Sequence, residues 1–193
     1  MLVEDLTYGV SDFKIGIAEI QNENKLGQDA LLEIAKTLAL NIMACQFLDS
    51  SLVAGAGHLL SAAQNALNAH LGGYPVARSL DVEIILYASC QPQIGIALET
   101  LGVKDDLQSI ALVVVGDTEE QVHDCVVGAI SAIGPEISPP FVASKSRIDA
   151  IMNHFEIGHE EVNAISVSRK MAHRYDALSR CVSSRVSMVA LDS

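Results

Sequence analysis

Eight consecutive residues with the sequence SIALVVVG, Ser109–Gly116, constrain the fold of this chain more than any other segment. They carry no charge, consist mainly of aliphatic residues, and are bounded by turn-forming residues. A short continuous apolar run of this kind is typical of a strand that is buried on both faces. The segment therefore predicts a sheet that other elements cover.

Further strands and several helices are predicted around this segment. Phe13–Ile17 alternates in the manner of a half-buried strand, and Asn41–Leu48 (NIMACQFL) is mostly apolar. Helical periodicity predicts helices at residues 28–40, 58–71, 93–101, 117–133 and 146–154, and again from residue 158 onward, with a last apolar stretch at 186–191.

Residues 79–90 fit two structures. Their β-branched run suits a buried strand, whereas Ser79 followed by Asp81 and Glu83 resembles a helix start with acidic side chains near the positive end of the helix dipole. The helix is the favoured interpretation. Glu83 lies within an apolar run and needs a partner if it is buried, for which Arg78 is the nearest candidate.

Strands that alternate with helices predict an α/β, mixed α+β fold, in which several helices cover a small sheet of three or four strands. The segment GPEISPP at residues 134–140 is expected to be a rigid linker. The helical portion after it, about residues 145–193, is too short and polar for a core of its own. We therefore expect residues 1–193 to form a single layered domain.

The charge excludes some classes of function. The chain has 24 acidic and 12 basic residues and a formal net charge of −12. This balance argues against a protein that coats nucleic acid or binds an anionic membrane surface. Residues 1–144 contain 5 basic and 18 acidic residues, whereas residues 145–193 contain 7 and 6. The difference indicates a partner-facing region near the C-terminus, or ordinary scatter on a solvated surface.

The chain shows no sign of a secreted or membrane protein. Its N-terminus lacks a basic region followed by an apolar one, and the stretch at residues 38–47 is too short to span a bilayer. The four cysteines lie far apart, with no C-x-x-C spacing. We expect reduced, mostly buried cysteines, no metal site and a cytoplasmic location.

Enzyme motifs are weak. The glycines Gly55 and Gly57, which follow a predicted strand and precede a helix, resemble a dinucleotide fingerprint, but Leu60 stands at the third glycine position. The sequence contains neither H-E-x-x-H nor G-x-S-x-G. No catalytic residues and no cofactor are therefore predicted, and a small nucleotide-binding enzyme using these two glycines is the alternative.

A series of short motifs occurs in a fixed order between residues 58 and 102. They are His58-Leu59, Ala62 and Ala66, Ala77-Arg78-Ser79-Leu80, Glu83-Ile84-Ile85-Leu86-Tyr87, Ala88-Ser89, Gln93-Ile94, and Ala97-Leu98 with Gly102. Their joint order resembles the Cgi-type regulatory subunit of the KEOPS (EKC) complex, the family of the PRPK-binding protein. The resemblance is strong over about residues 42–116 and faint over the C-terminal quarter.

The resemblance implies a mixed α/β protein that is not itself an enzyme. Members of this family bind and stimulate the small atypical kinase/ATPase subunit of KEOPS. They also recruit tRNA through its single-stranded 3′ CCA end. The complex installs threonylcarbamoyladenosine in tRNA, and its transferase subunit, an indirect partner, performs that chemistry. An interaction domain with no role in RNA binding is a third possibility.

The resemblance also implies site residues. Single-stranded RNA is bound by packing surfaces, uncharged hydrogen-bonding groups and a few cations. Arg78 is the only Lys or Arg between Lys36 and Lys104. The candidate tRNA contacts are His58, Arg78, Ser89, Gln91, Gln93 and Ile94, with Tyr87 as a less favoured packing surface. Alternatively, His58 only starts its helix, Arg78 pairs with Glu83, and Tyr87 is core.

A kinase interface is expected within residues 158–185, where the charge balance changes. The candidates are the apolar residues of a predicted helical stripe and one nearby cation: Val162, Ile165, Arg169, Met171 and Tyr175. The alternative is that this stripe belongs to the core. The serine- and arginine-rich end SRCVSSRVSMVALDS departs from the family pattern.

Overall fold

A four-stranded antiparallel sheet lies at the centre of the structure, a computed structural model that describes residues 1–189. The strands are β1 (Leu2–Tyr8), β2 (Ser11–Gln21), β3 (Ala44–Asp49) and β4 (Ser109–Gly116), and their order in the sheet is β1-β2-β4-β3. The apolar run that predicts a buried strand is therefore β4, an inner strand paired with β2 and β3.

Eight α-helices accompany the sheet in the described part of the chain. They are α1 (Gln28–Leu38), α2 (Ala56–Gly72), α3 (Leu80–Ser89), α4 (Ile94–Leu101), α5 (Glu119–Ile133), α6 (Lys145–His154), α7 (His159–Ile165) and α8 (Met171–Val186). Within residues 1–189, none of these helices combines the length and the apolar character needed to cross a membrane.

Helices cover both faces of the sheet, because β4 contributes alternate residues to two hydrophobic clusters. Ala111, Val113 and Val115 pack with α2 and α3, whereas Ile110, Leu112 and Val114 pack with α1 and α5. The close approach of α5 to β2 depends on Gly16, since a Cβ atom there would lie 2.5 Å from Cγ1 of Val122. The predicted mixed α+β fold with a small helix-covered sheet is confirmed.

Strand β1 was not predicted from the sequence. It is an edge strand in which only Leu6 is fully buried, so its periodicity is weak. It pairs with β2 through a hairpin whose closing residues are Tyr8 and Ser11, and Gly9 in the turn has a φ of +62°. Pairing with β2, rather than a local apolar pattern, creates this strand.

The structure decides between helix and strand at residues 80–89 and shifts the start of the strand predicted at 41–48. Residues 80–89 form the helix α3, as favoured, and most of its side chains are buried, which explains why its sequence also suits a buried strand. The predicted strand at 41–48 begins only at Ala44, because residues 39–41 continue α1 as a turn of 3₁₀ helix.

The C-terminal helices α6, α7 and α8 form a third hydrophobic cluster. Ile151, Phe155, Val162 and Leu178 are among its members, and Ala54, in the loop before α2, packs with them. We propose that residues 1–193 form a single layered domain, to which the contact between this cluster and Ala54 contributes. The stretch predicted at residues 186–191 lies partly outside the described residues.

A buried ion pair joins these C-terminal helices to the sheet. Glu19 on β2 is only 2% exposed, and its Oε1 accepts hydrogen bonds of 2.6 Å from Nη2 of Arg147 on α6 and from Oγ of Ser50. Its Oε2 accepts a bond of 2.5 Å from the backbone N–H of Phe141. The carboxylate therefore connects the sheet, the segment before α6 and α6 itself.

These hydrogen bonds decide the charge of Glu19. Burial alone would raise the pKa of its carboxyl, but the hydrogen bonds from Arg147, Ser50 and Phe141 outweigh that effect and hold the pKa below its ordinary value of 4.5. Because the folded pKa is lowered, this contribution to stability is present above pH 4.5 and is lost as the pH falls through the folded pKa.

We expect the substitution Arg147→Met to lower the free energy of unfolding by about 3–5 kcal/mol at pH 7, because it leaves a buried carboxylate without its counter-ion. The difference from the wild type should shrink at pH 3, where Glu19 in the variant is protonated. Urea denaturation followed by circular dichroism at both pH values measures this.

The matched control is Arg180→Met. Arg180 forms an exposed ion pair with Asp176 at 3.0 Å on α8, and such pairs contribute less than about 1 kcal/mol. Equal losses of stability in the two variants at pH 7 would contradict the role assigned to the Glu19–Arg147 pair.

Candidate functional site

The structure divides the six candidate tRNA contacts into two groups. Arg78, Gln93 and Ile94 are exposed and Gln91 is partly exposed, whereas His58 and Ser89 are buried. The exposed residues lie in the loop between α2 and α3 and at the start of α4. Only they are placed where an RNA could contact them directly.

His58 is a structural residue. Its Nδ1 accepts a hydrogen bond of 3.2 Å from the backbone N–H of Ala54, so Nε2 carries the proton and donates to the carbonyl of Ala88 at 2.8 Å. Phe155 packs edge-on against its ring. Burial lowers the pKa of His58 to about 4, which makes it neutral at pH 7. The expectation that His58 contacts tRNA is therefore corrected: this side chain joins α2, α3 and the C-terminal cluster.

Ser89 likewise needs a correction. Its hydroxyl is buried and donates a hydrogen bond of 3.1 Å to the carbonyl of Leu86 within α3. The neighbouring Gln91 donates its backbone N–H to the same carbonyl at 3.1 Å, which closes the end of the helix. Ser89 therefore shapes the turn that leads to Gln91 and Gln93 rather than facing solvent.

Arg78 does not pair with Glu83, contrary to the sequence-based suggestion. The buried carboxylate of Glu83 accepts backbone N–H bonds from Val76 at 3.3 Å and Ala77 at 2.6 Å. Glu83 thus fixes the loop that carries Arg78. Within residues 1–189, Arg78 forms no ion pair, and its guanidinium group is available to a ligand.

An exposed aromatic residue lies in the same loop and was missed from the sequence. Tyr74 is 56% exposed, and a Cβ atom on Gly72 would lie 2.5 Å from its ring, so the ring rests on the glycine backbone. Packing of Ala77 with Leu86 and Ala97 holds the loop against α3 and α4. The sequence signal is the segment GGYP, in which an aromatic residue stands between glycine and proline.

We call this region the Arg78 surface and define it by its exposed residues Tyr74, Val76, Arg78, Gln93 and Ile94. It combines one cation, one aromatic ring, an amide and apolar side chains. Tyr87, the less favoured packing candidate, is buried in the main core and belongs to the protein interior. Single-stranded nucleic acid is bound by side chains of these types.

The structure also divides the candidate kinase residues into buried and exposed ones. Val162 is fully buried, and the partly buried Tyr175 donates a hydrogen bond of 3.2 Å from its hydroxyl to the carbonyl of Val53, so both belong to the C-terminal core. Ile165, Arg169 and Met171 are exposed. The predicted stripe is divided because α7 ends at Ile165 and the chain turns before α8 begins.

The turn between α7 and α8 carries a second exposed surface. Val167, missed from the sequence, is 84% exposed there, between Ile165 and Met171. Three cations lie within the same short segment: Arg169, Lys170 and Arg174. We call residues 165–174 the α7–α8 surface. It combines apolar side chains with positive charge and contains no Phe, Tyr or Trp.

The alternative of a nucleotide site at Gly55 and Gly57 does not fit the structure. A dinucleotide fingerprint joins parallel strands through a helix, whereas every pairing in this sheet is antiparallel. A Cβ atom on Gly55 would lie 3.7 Å from Oγ of Ser179 and 3.8 Å from the Tyr175 ring. Helix α8 therefore covers the position that a pyrophosphate would need.

Within residues 1–189, no group of three or more His, Cys, Asp and Glu side chains is placed to hold a metal ion. A largely apolar cleft of about 470 Å³ lies between α1, β3, α3 and α4, lined by residues that include Leu32, Leu40, Phe47 and Leu98. None of the candidate site residues lines it.

Comparison with known families decides the classification. The family model described as "Kinase binding protein CGI-121" matches residues 17–190. The chain belongs to this family. No curated protein matches the sequence significantly. The CGI-121 match extends from β2 to the end of α8 and so includes the C-terminal quarter, where the resemblance judged from sequence motifs is faint.

Membership of the CGI-121 family confirms the expectation of a kinase-binding protein. The family is described as kinase-binding, so a kinase is the expected partner of this CGI-121 protein. Both surfaces described above lie within the matched residues.

The buried His58 generates a prediction about pH. Its folded pKa of about 4 lies below its ordinary value of 6.5, so the unfolded chain binds a proton more readily. Its contribution to stability is present above pH 6.5 and should fall by about 3 kcal/mol as the pH decreases to 4. Urea denaturation across this range measures the slope.

The variant His58→Gln provides the comparison, since glutamine keeps a donor and an acceptor but does not titrate. The other histidines remain in both proteins, so the difference between the two slopes isolates His58. Parallel stability curves between pH 4 and 6.5 would show that His58 is not buried in its neutral form.

Proposed function

We propose that this CGI-121 family protein is a non-catalytic accessory subunit of a KEOPS complex. In this proposal it binds and activates the small atypical kinase/ATPase subunit through the α7–α8 surface. It recruits tRNA through the 3′ CCA end at the Arg78 surface, and so supports threonylcarbamoyladenosine modification. The transferase subunit is an indirect partner, and the complex is cytoplasmic.

One observation carries the RNA part of the proposal. Arg78 is exposed and forms no ion pair within residues 1–189, although the chain has twice as many acidic as basic residues. Asp81 is the first carboxylate after Arg78 in the sequence, and Glu83 is the second. The carboxylate of Glu83 is buried and accepts hydrogen bonds from backbone N–H groups. A cation kept free in this way is available to a phosphate group.

The surroundings of Arg78 favour a single-stranded end over a duplex. A duplex needs many cations along its backbone, and the Arg78 surface has only one. Unpaired bases instead stack on aromatic or apolar side chains and accept or donate hydrogen bonds at their edges. Tyr74 and Ile94 supply such packing surfaces, and the amide of Gln93 supplies the hydrogen bonds.

The kinase part of the proposal rests on family membership and on the α7–α8 surface. Protein interfaces are enriched in Met and Arg and bury apolar side chains at their centre. Met171, Arg169 and the highly exposed Val167 provide this composition. Activation without catalysis is consistent with a role in which the protein contributes binding surfaces while the kinase performs the chemistry.

We expect Arg78→Ala to weaken tRNA binding by roughly tenfold, because one phosphate contact is lost. The slope of log affinity against log salt concentration should fall by about 1. Fluorescence anisotropy with a labelled tRNA at several salt concentrations measures both quantities, and tRNA lacking its CCA end should bind weakly to the wild type.

Lys104→Ala is the control for this substitution. Lys104 is also an exposed cation outside any ion pair of the described residues, and its ammonium group donates to the carbonyl of Thr100 at 3.1 Å. Its removal changes the net charge equally and should leave tRNA affinity nearly unchanged. Equal affinity of the wild type for intact and trimmed tRNA would contradict CCA recognition and favour an interaction domain without an RNA role.

We expect Val167→Asp to weaken binding to the kinase by about 30-fold or more, since a charge is placed at the centre of the proposed apolar contact. Isothermal titration calorimetry with the purified kinase subunit measures the change. Binding of tRNA to the Val167→Asp variant should stay at the wild-type level.

The matched control is Val10→Asp. Val10 is 103% exposed in the turn between β1 and β2, so this variant carries the same substitution at another highly exposed valine. It should bind the kinase normally. Wild-type affinity of the Val167→Asp variant would place the kinase interface elsewhere on the molecule.

A further inference from the structure

Among residues 1–189, the Lys and Arg side chains that form no ion pair are unevenly distributed along the chain. Within residues 1–189, six Lys and Arg side chains lie within ion-pair distance of a carboxylate, among them Arg147, Arg180 and Arg185. Six others do not, and three of those six are Arg169, Lys170 and Arg174, inside the α7–α8 surface. In a chain with a twofold excess of acid, such a concentration of unpaired cations indicates an external anion.

Two of these cations converge on a pocket. A cavity of about 330 Å³ is lined by His159 and Asn163 of α7, by Arg169 in the turn, and by Arg174 in the first turns of α8. No carboxylate lines it. Nη2 of Arg174 donates to Nδ1 of His159 at 3.2 Å, whereas the buried Nε of Arg174 has no hydrogen-bond partner.

The turn that shapes the pocket is held by its own hydrogen bonds. Ser166 donates its hydroxyl to the carbonyl of Ser168 at 2.6 Å, and the Ser168 hydroxyl accepts from the backbone N–H of Lys170 at 3.2 Å. The Ser168 hydroxyl also lies 2.6 Å from Nδ1 of His173. A preorganised turn lowers the conformational cost of binding an anion.

The surroundings favour a protein carboxylate over an RNA phosphate. Exposed Ile165, Val167 and Met171 flank the cations, residues 165–174 contain no Phe, Tyr or Trp on which a base could stack, and the His159 ring is engaged by Arg174. Arg side chains bind carboxylates through paired N–H groups, which fixes geometry as well as charge. Apolar residues around an Arg-rich pocket therefore match an acidic side chain at the edge of a protein interface.

We propose that the pocket formed by His159, Asn163, Arg169 and Arg174 binds an aspartate or glutamate side chain of the kinase subunit. This inference rests on the proposed function and adds the chemistry of the contact. The apolar residues supply contact area, and the carboxylate in the pocket fixes the orientation of the kinase on the α7–α8 surface. No covalent step is involved.

The test compares kinase binding by the full chain and its variants Arg169→Gln and Arg174→Gln. Each should weaken binding by tenfold or more and reduce its dependence on salt concentration. Arg180→Gln, which removes an exposed arginine of the same helix, should bind normally. Circular dichroism checks the fold, and Arg169→Gln keeps the test valid if Arg174→Gln is destabilised, because Arg169 is exposed.

Double-mutant cycles then identify the carboxylate. Exposed Asp and Glu residues of the kinase are replaced singly by Asn or Gln, and one of them should lose its effect on binding when Arg169→Gln is present. The absence of any coupled acidic residue would overturn the proposal. A loss of tRNA affinity with unchanged kinase affinity would also overturn it, because it would make RNA phosphate the occupant.

The outcomes separate this inference from the proposed function. If Val167→Asp weakens kinase binding and the two arginine variants do not, the α7–α8 surface is the kinase interface but the pocket holds no carboxylate. If neither Val167→Asp nor the arginine variants change kinase binding, the assignment of this surface itself is wrong.

Discussion

The position of the C-terminal helices depends on one buried carboxylate. Glu19 lies on an inner strand, and the groups that hydrogen-bond to it come from three separate segments of the chain: Ser50 after β3, Phe141 before α6, and Arg147 on α6. An isolated carboxylate in this position would be unfavourable by several kcal/mol. The sheet and α6 therefore have to be in contact for Glu19 to keep its partners, and α7 and α8 pack with α6 in the same hydrophobic cluster.

Much of the fold is predictable because its signals are local. The apolar run of β4 predicts burial by composition alone, and the acidic residues after Ser79 favour the helix α3. Strand β1 is not predictable in this way, since one buried residue, Leu6, gives little periodicity and the strand depends on pairing with β2.

The sites were predictable only in part, because exposure is a property of tertiary packing. His58 and Arg78 are both candidate cations in the sequence, yet packing of the C-terminal cluster buries the first and leaves the second in solvent. Val167 was missed because it follows the end of α7, where helical periodicity gives no information. Tyr74 was missed because its exposure depends on how the loop rests on Gly72.

The segment with the most recognisable sequence is largely interior. His58, Glu83 and Ser89 are buried, and they connect helices rather than meet a ligand. Damaging substitutions at these positions would reduce the amount of folded protein in the cell, because a loss of 1–2 kcal/mol is enough to change abundance several-fold. A genetic screen for lost function would therefore recover them readily, and measurements of protein level would be needed before any of them was assigned to a contact with a partner.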